Sequence, residues 1–228
     1  VIYQKFFNEA LGFPLERLRY RELIEGEKAH YAIAHWDLEI YTDDLGWVEL
    51  VNNAYRTDYD LSGHMKVSGN DLSVQSNDGT RKVLPHLYEP SIGLDRVIFH
   101  ELMVAYREDE ERTWLQLPRY LAPVEVGVFP LLRRDGLPEK ARKIYNELVN
   151  NGFIAFYDES GSIGRRYRRM DEIGTPVCIT VDHQTLEDDT VTMRDRDTMK
   201  QIRVPTSRLP EKIIRFLNSN VSIEELID

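Results

Sequence analysis

From Val124 to Leu132 the chain is apolar at almost every position, the pattern of a strand buried on both faces of a sheet. Leu137 to Asn151 follows with Ala141, Ile144, Tyr145, Leu148 and Val149 at helical spacing, and Gly152 stands where a helix C-cap belongs. Phe153 to Tyr157 predicts a second strand, Ile163 to Ile173 a second helix and Val177 to Val181 a third strand. Thr190 to Asp197 and Lys200 to Val204 predict a hairpin turning at Asp197-Thr198, and Leu209 to Ser219 a last helix. This β-α-β-α-β order with a terminal hairpin predicts a mixed, largely parallel sheet with helices on its faces.

The first half has a different rhythm. Val1 to Glu9 predicts a short helix, broken by Leu11-Gly12-Phe13-Pro14. Ala29 to Tyr41 and Trp47 to Ala54 predict strands flanking the polar turn Thr42-Asp43-Asp44-Leu45-Gly46, hence a hairpin. Asp60 to Met65 predicts a short helix, and Leu72 to Lys82 a hairpin with Asn77-Asp78-Gly79 at its tip. Val83 to Tyr88, interrupted by Pro85, predicts a strand, and Val97 to Tyr106 a helix. The prolines of Leu117-Pro118-Arg119-Tyr120-Leu121-Ala122-Pro123 and the change of pattern put a domain boundary near residue 121. The fold class is α+β overall: an antiparallel part over residues 1–120, then an α/β domain over 121–228.

At 228 residues, 42% hydrophobic and 30% charged, the chain has the composition of a globular protein with one or two domains. No run approaches the ~20 apolar residues that span a bilayer. The start lacks a signal-peptide pattern and an initiator Met, which points to a fragment or to processing. The lone Cys178 sits in an apolar run and reads as a buried structural thiol, with a reducing cytoplasm expected. The net charge of −10 argues against indiscriminate nucleic-acid binding. It is uneven, −8 over residues 1–121 and −2 over 122–228, which leaves the second part more room for basic patches.

Candidate chemistry concentrates in Glu89-Pro90-Ser91-Ile92-Gly93-Leu94-Asp95-Arg96. A strand, a tight Gly-containing turn and a helix N-terminus can hold an anion, and Arg96 adds a forked donor suited to phosphate. The plainer alternative is an Asp95/Arg96 ion pair at an ordinary helix start. Glu49 alternates with Trp47 and Val51, so the three are expected on one face. A core-facing Glu49 would be an unusual buried acid, a solvent-facing one an ordinary residue. Arg56 has acidic neighbours and by itself reads as a surface ion pair, while Asp58 and Asp60 read as turn and helix-capping residues. The six histidines show no zinc spacing, and Ser160-Gly161-Ser162 is no hydrolase elbow. Arg165-Arg166-Tyr167-Arg168-Arg169 is the densest basic cluster; on a helix Arg165, Arg168 and Arg169 share a face and Arg166 diverges. Nucleic-acid contact and pairing with Asp158, Glu159, Asp171 and Glu172 are both open, as are contact with nucleic-acid bases or phosphates and a solvated salt-bridged strand for Arg194, Arg196 and Lys200.

The Glu89 to Arg96 segment also resembles motif 3 of class II aminoacyl-tRNA synthetases, in the E-P-S-x-G-x-x-R form of the dimeric archaeal and eukaryotic glycyl-tRNA synthetases. The resemblance runs from about Leu11 to Leu217, through Arg19-Tyr20-Arg21, His30-Tyr31-Ala32, Trp36-Asp37-Leu38-Glu39, Gly46-Trp47-Val48-Glu49, Tyr59-Asp60-Leu61 and Asp158 to Arg169. It implies part of an antiparallel class II catalytic core over 1–120 and an anticodon-binding domain over 121–228. It implies ATP-dependent activation of glycine through glycyl-adenylate, transfer to tRNA(Gly), Mg²⁺ as the metal, a homodimer and a cytoplasmic location. By the same resemblance Glu89 accepts from the glycine ammonium and Ser91 fills the space of a larger side chain. Arg56 lies near the glycine carboxylate, Arg96 contacts the terminal phosphate of ATP, and Glu49 with Leu50 forms the ATP-binding strand, Glu49 also meeting Mg²⁺. Arg165, Arg168, Arg169, Arg194, Arg196 and Lys200 are the tRNA-binding candidates. Tyr55 departs from the smaller or acidic residue of many relatives.

The family's motifs 1 and 2 have no counterpart in the chain, and both would lie before Val1. A C-terminal portion, inactive in aminoacylation by itself, is therefore expected. The alternative is a non-catalytic accessory protein of a polymerase or other nucleic-acid machine built on a synthetase-like fold; Arg56, Glu89, Ser91 and Arg96, all present, favour an enzyme origin.

Overall fold

The computed structural model describes residues 2–227 and divides into two compact units, residues 1–101 and 102–228. The first opens with α1 (Ile2–Lys5), continued by a π-turn over Phe6–Ala10; Val1, included in the expected first helix, lies outside the described residues. Four strands make its antiparallel sheet, in the order β1-β2-β3-β6. They are β1 (Leu18–Glu22), β2 (Ala34–Thr42), β3 (Gly46–Thr57) and β6 (Leu87–Ile92). Between β3 and β6 lie α2 (Tyr59–Ser68) and the small hairpin β4 (Val74–Gln75) with β5 (Lys82–Val83). The helix α3 (Leu94–Ala105) follows Gly93.

The β2–β3 hairpin turns where expected, at Gly46, whose φ of 69° a side-chain-bearing residue would strain to adopt. β2 starts at Ala34, five residues later than expected, because Ala29 to Ala32 close a backbone turn instead. β1 was not anticipated. Its alternation Leu18-Arg19-Tyr20-Arg21 is too polar to read as a strand until Arg19 and Arg21 find partners on β2. β6 replaces the strand expected at 83–88 and carries Glu89, Pro90 and Ser91 within it rather than in a turn. Pro90 lacks a backbone donor, and the edge position of β6 tolerates that.

Two irregularities aim the side chains of β3. The β2–β3 register jumps from Leu38↔Val51 to Glu39↔Glu49, leaving Leu50 as a bulge. Trp47 and Glu49 thus share one face while Val51 points to the other, correcting the expected grouping of all three. A second shift between Tyr55 and Thr57 puts Arg56 on a bulge, beside Thr57 at φ 52°.

In α3, Glu101 is 9% exposed, and one of its carboxylate oxygens has no hydrogen-bond partner among the described residues. Burial raises its carboxyl from the ordinary 4.5 to about 7. The folded state then binds this proton more tightly than the unfolded chain. The contribution is full below pH 4.5 and is lost as pH rises to about 7. Glu101→Gln should flatten stability across that window and exceed the unaltered chain by roughly 1–3 kcal/mol at pH 8. Urea unfolding at pH 5 and pH 8 measures the difference.

The second unit opens with a hairpin, β7 (Tyr106–Glu108) and β8 (Thr113–Leu115). Then follow β9 (Val126–Pro130), α4 (Leu137–Asn150), β10 (Ala155–Tyr157), α5 (Ile163–Glu172) and β11 (Val177–Val181). The chain ends with α6 (His183–Asp188), β12 (Thr190–Asp195), β13 (Gln201–Pro205) and α7 (Leu209–Asn218). The sheet order is β10-β9-β11-β12-β13; β9 runs parallel to β10 and β11, and the remaining pairs are antiparallel. All five residues of β9 and of β11 are buried, as their apolar runs predict. Val126, Val128, Val177 and Ile179 pack with Ile144 and Leu148 of α4 and Ile213 and Phe216 of α7. Phe129 and Cys178 pack with Met170 of α5 in a separate cluster. A Cβ at Gly127 would come within 2.7 Å of Phe129 and 3.1 Å of Cys178 Sγ, so only glycine fits between these layers. Cys178 is 1% exposed and burial pushes its thiol up, as expected of a structural thiol.

The short α6 was not anticipated, although Asp182 and Thr185 form a reciprocal capping box at its start. The unit boundary at 101/102 lies ahead of the proline-marked boundary near 121. The intervening segment is tied to the rest of the second unit by Arg112 of the hairpin, which donates to Asp171 at 2.9 Å, and by Arg196, which donates to the Leu117 carbonyl at 2.9 Å. Among the described residues no helix is long and apolar enough to cross a membrane.

Candidate functional site

Strand alternation sorts the first sheet into two unlike faces. One carries Tyr20, Leu38, Val51, Tyr55 and Tyr88 and holds an apolar hollow of about 650 Å³ lined by Tyr3, Tyr20, Trp36 and Tyr88. Tyr55 lines that hollow, away from the chemistry of its neighbour Arg56. The other face is a lattice of charge. Register pairs Arg19↔Glu39, Arg21↔Asp37, Asp37↔Asn52, Asn52↔Ser91 and Ala54↔Glu89 lay these residues side by side.

Glu39 and Glu49 stand directly opposite each other, a repulsive pair unless cations intervene. Arg19 and Arg21 donate to the two oxygens of Glu39 at 2.7 and 3.0 Å, and Arg96 donates to Glu49 Oε1 at 3.0 Å and to the Glu49 carbonyl at 2.8 Å. The Arg19 guanidinium also lies 4.0 Å over the Trp47 ring. Asp37, 4% exposed, accepts from Asn52 Nδ2 at 3.2 Å. Burial, helped by the charge of Glu49, raises its carboxyl above the ordinary range.

At the other end of this face Arg56 Nη1 donates to Glu89 Oε2 at 2.5 Å. Its Nε and Nη2 reach both oxygens of Asp60 at 2.7 and 2.5 Å, and its Cζ lies 3.9 Å from the centre of the Tyr31 ring. Hydrogen bonds to Asp60 and Glu89 hold the guanidinium above its ordinary value, and Arg56 holds Asp60 below the usual carboxylate range. Asp60 is thus a partner of Arg56 rather than the capping residue expected; Ser62 Oγ donates to Asp58 at 2.9 Å.

The structure therefore gathers Arg56, Glu89, Ser91, Glu49 and Arg96 on or beside one polar face. Leu50 is different: as the bulged residue it is fully buried, so its side chain belongs to the core. Arg19, Arg21, Asp37, Glu39 and Asn52 were missed as site residues. Their signal is present in the strictly alternating charges of Arg19-Tyr20-Arg21 and Asp37-Leu38-Glu39, which need a partner strand to make sense. Among the described residues no group of three or more His, Cys, Asp or Glu side chains is placed to hold a metal ion.

The second unit has a basic cleft of about 500 Å³ beside α5, lined by Arg165, Tyr167, Arg168, Arg194 and Gln201. Ser162 caps α5 by accepting from the Arg165 N–H at 3.4 Å. The six expected tRNA-contacting cations divide. Arg165 is exposed in the cleft, and Arg168 makes long ion contacts, 3.8 Å to Glu111 and 4.0 Å to Asp171. Arg194 borders the cleft but is 4% exposed and forks onto Asp171 at 2.8 and 3.0 Å. Arg169 turns away to Asp158, at 3.0 Å from Nε. Arg196, 1% exposed, binds the Gly174 carbonyl at 2.7 Å and its neighbour Asp197 at 2.8 Å, so it is a structural residue. Lys200 pairs with Glu224. Arg166 diverges from the cluster, as expected, and is buried against the Pro130 and Gly161 carbonyls.

Comparison with known proteins agrees with both units. A family model for an anticodon-binding domain matches residues 125–216, the span that begins just before β9 and ends in α7. The chain is 37% identical to the glycine–tRNA ligase of Methanococcus vannielii over 88% of its own length and 49% of that protein's. It is 38% identical to that of Archaeoglobus fulgidus over 94% of its length and 50% of the relative's. For that of Pyrococcus furiosus the figures are 37%, 89% and 49%. The chain spans about half the length of the curated relatives it matches. An antiparallel charged sheet followed by this anticodon-binding domain, with matches along nine-tenths of the sequence, makes the chain similar to about half of a glycine–tRNA ligase.

Proposed function

We propose that the chain supplies the amino-acid end and one phosphate contact of a glycine-activating site, together with the tRNA surface that follows it. The observation that carries this is the Arg56–Glu89 pair, a cation and an anion in contact on the polar face of the sheet. A glycine zwitterion offers the same two charges in the opposite sense. Glu89 would accept from its ammonium, and Arg56 would donate to its carboxylate. Ser91, two residues along the same face, would limit the room for any larger side chain.

The glycine carboxylate oxygen then attacks the α-phosphorus of ATP, the bond to the bridging oxygen breaks and pyrophosphate leaves. Such phosphoryl chemistry depends on positioning and on charge stabilisation. Arg96, 45% exposed and held by Glu49, would hold the terminal phosphate. Mg²⁺ takes one or two carboxylates plus phosphate oxygens, so Glu49 with the nucleotide fits it without a preformed cage. In the second half-reaction a ribose hydroxyl of tRNA(Gly) attacks the glycyl carbonyl and releases AMP.

Residues 1–120 are read as part of the catalytic core and 121–228 as the anticodon-binding domain. The intact protein is read as a cytoplasmic homodimer, a reading supported only by the resemblance to glycine–tRNA ligases. Glycine-dependent ATP–pyrophosphate exchange, measured for the 228-residue chain and for an N-terminally extended one, tests the activity. No exchange from either would overturn it. For the second unit, Arg165→Ala with Arg168→Ala should weaken tRNA binding about ten-fold. The dependence of log K on log salt should lose roughly 0.7–0.9 of slope per phosphate contact removed. An unchanged salt slope would remove the cleft from the tRNA surface.

A further inference from the structure

Arg56 is held on three sides. Asp60 takes the Nε–Nη2 edge in a two-pronged contact at 2.7 and 2.5 Å, Glu89 takes Nη1, and the Tyr31 ring lies 3.9 Å beneath the guanidinium carbon. Each of these supports is itself anchored. Asp60 sits in the first turn of α2, four residues from Arg56 and beyond Thr57 in its left-handed conformation. Tyr31 packs against Tyr59 at 6.3 Å between ring centres and against His30 at 5.3 Å, and Tyr59 Oη lies 3.3 Å from His30 Nε2.

An arginine on a long flexible stem meets a carboxylate well only if its plane is set beforehand. The bulge brings Arg56 to the right place but does not set that plane. The fork from Asp60 does, because two parallel N–H···O bonds define both the position and the rotation of the guanidinium. With the Nε–Nη2 edge clamped, Nη1 is the donor aimed along the sheet at Glu89. That is the direction from which the zwitterion would be received.

We propose that Asp60, with Tyr31 beneath, is a positioning residue that orients Arg56 for the carboxylate of the amino-acid substrate. The proposal rests on the glycine-site reading above. It assigns Asp60 no contact with substrate, so its loss should affect one end of the ligand only.

The test titrates the ¹⁵N-labelled chain with glycine and, separately, with glycinamide, which keeps the ammonium but has no carboxylate. Asp60→Asn should raise the Kd for glycine about ten-fold, the scale of one charged hydrogen-bond interaction. The Kd for glycinamide should stay within about two-fold. Tyr31→Leu, which removes the ring but no charge, should act in the same direction by about three-fold. It provides a second reading should the Asp60 variant fold poorly. An unchanged glycine Kd in either folded variant, or equal losses for glycine and glycinamide, would overturn the positioning role. Absence of glycine binding by the unaltered chain would instead overturn the reading of the site.

Discussion

Asp171→Ala should destabilise the second unit by about 3–5 kcal/mol, the largest stability effect expected from a single side chain in this protein. Asp171 is fully buried and lies between two buried arginines. Arg194 reaches it from β12 with both Nη atoms, and Arg112 from the β7–β8 hairpin at 2.9 Å. Removing the one anion leaves two guanidinium charges facing each other out of water. They then keep only their remaining partners, for Arg112 the carbonyls of Arg196 at 2.5 Å and Asp197 at 2.9 Å. Breaking a buried pair from one side is far more costly than never having built it. Against a typical total of about 5–15 kcal/mol, the loss should lower the thermal midpoint by roughly 10–20 °C. Asp158→Ala, which releases the partly exposed Arg169 and the Ser160 N–H but leaves no buried charge unpaired, is the control and should cost about 1 kcal/mol. Urea unfolding of the two variants side by side decides it, and a loss below about 1 kcal/mol for Asp171→Ala would contradict the buried-triad account.

The same triad marks the limit of what could be read along the chain. The elements of the second unit lay open to reading because their patterns are local. β11 is apolar but for Thr180 over its observed span, α4 repeats its apolar positions every three to four residues, and β9 needs no partner to be recognised. The ionic wiring is not local. Arg194 and Arg196 alternate with Asp195 and Asp197 in the manner of a solvated strand. Nothing near them reveals that Asp171, 23 residues earlier, will bury Arg194. The candidate site divides along the same line. Glu89, Ser91 and Arg96 fall within one eight-residue segment and could be found together. Arg19 and Glu39, 20 residues apart, become a pair only once β1 has its register on β2. The two bulges in β3 leave no composition mark at all, yet they decide that Leu50 enters the core and that Arg56 reaches Asp60 and Glu89.

Glu89→Gln should have the largest functional effect, because it removes the formal charge that the proposed glycine site offers the substrate ammonium while leaving the shape of the site nearly unchanged. Glu89 lies on the edge strand opposite Ala54, so no bulky residue shares its register position. Its side chain is 40% exposed, against 18% for that of Arg56, so Glu89 is the more accessible member of the pair. The carbonyl of a glutamine could still accept one hydrogen bond, but the charge-assisted part of the interaction would be gone, about 2–3 kcal/mol or a 30- to 150-fold loss in glycine affinity. Glycolate separates charge from shape, since it replaces the ammonium by a hydroxyl and keeps the carboxylate. The unaltered chain should prefer glycine to glycolate strongly; in Glu89→Gln that preference should collapse to within a few-fold, because the neutral amide serves a hydroxyl as well as an ammonium. Arg56 remains anchored by Asp60 in this variant, so the carboxylate end should be intact and glycolate affinity nearly unchanged. Parallel titrations with the two ligands give the result directly. A Glu89→Gln chain that still discriminates glycine from glycolate as the unaltered chain does would place the ammonium elsewhere on this face, which also carries the carboxylates of Asp37, Glu39 and Glu49.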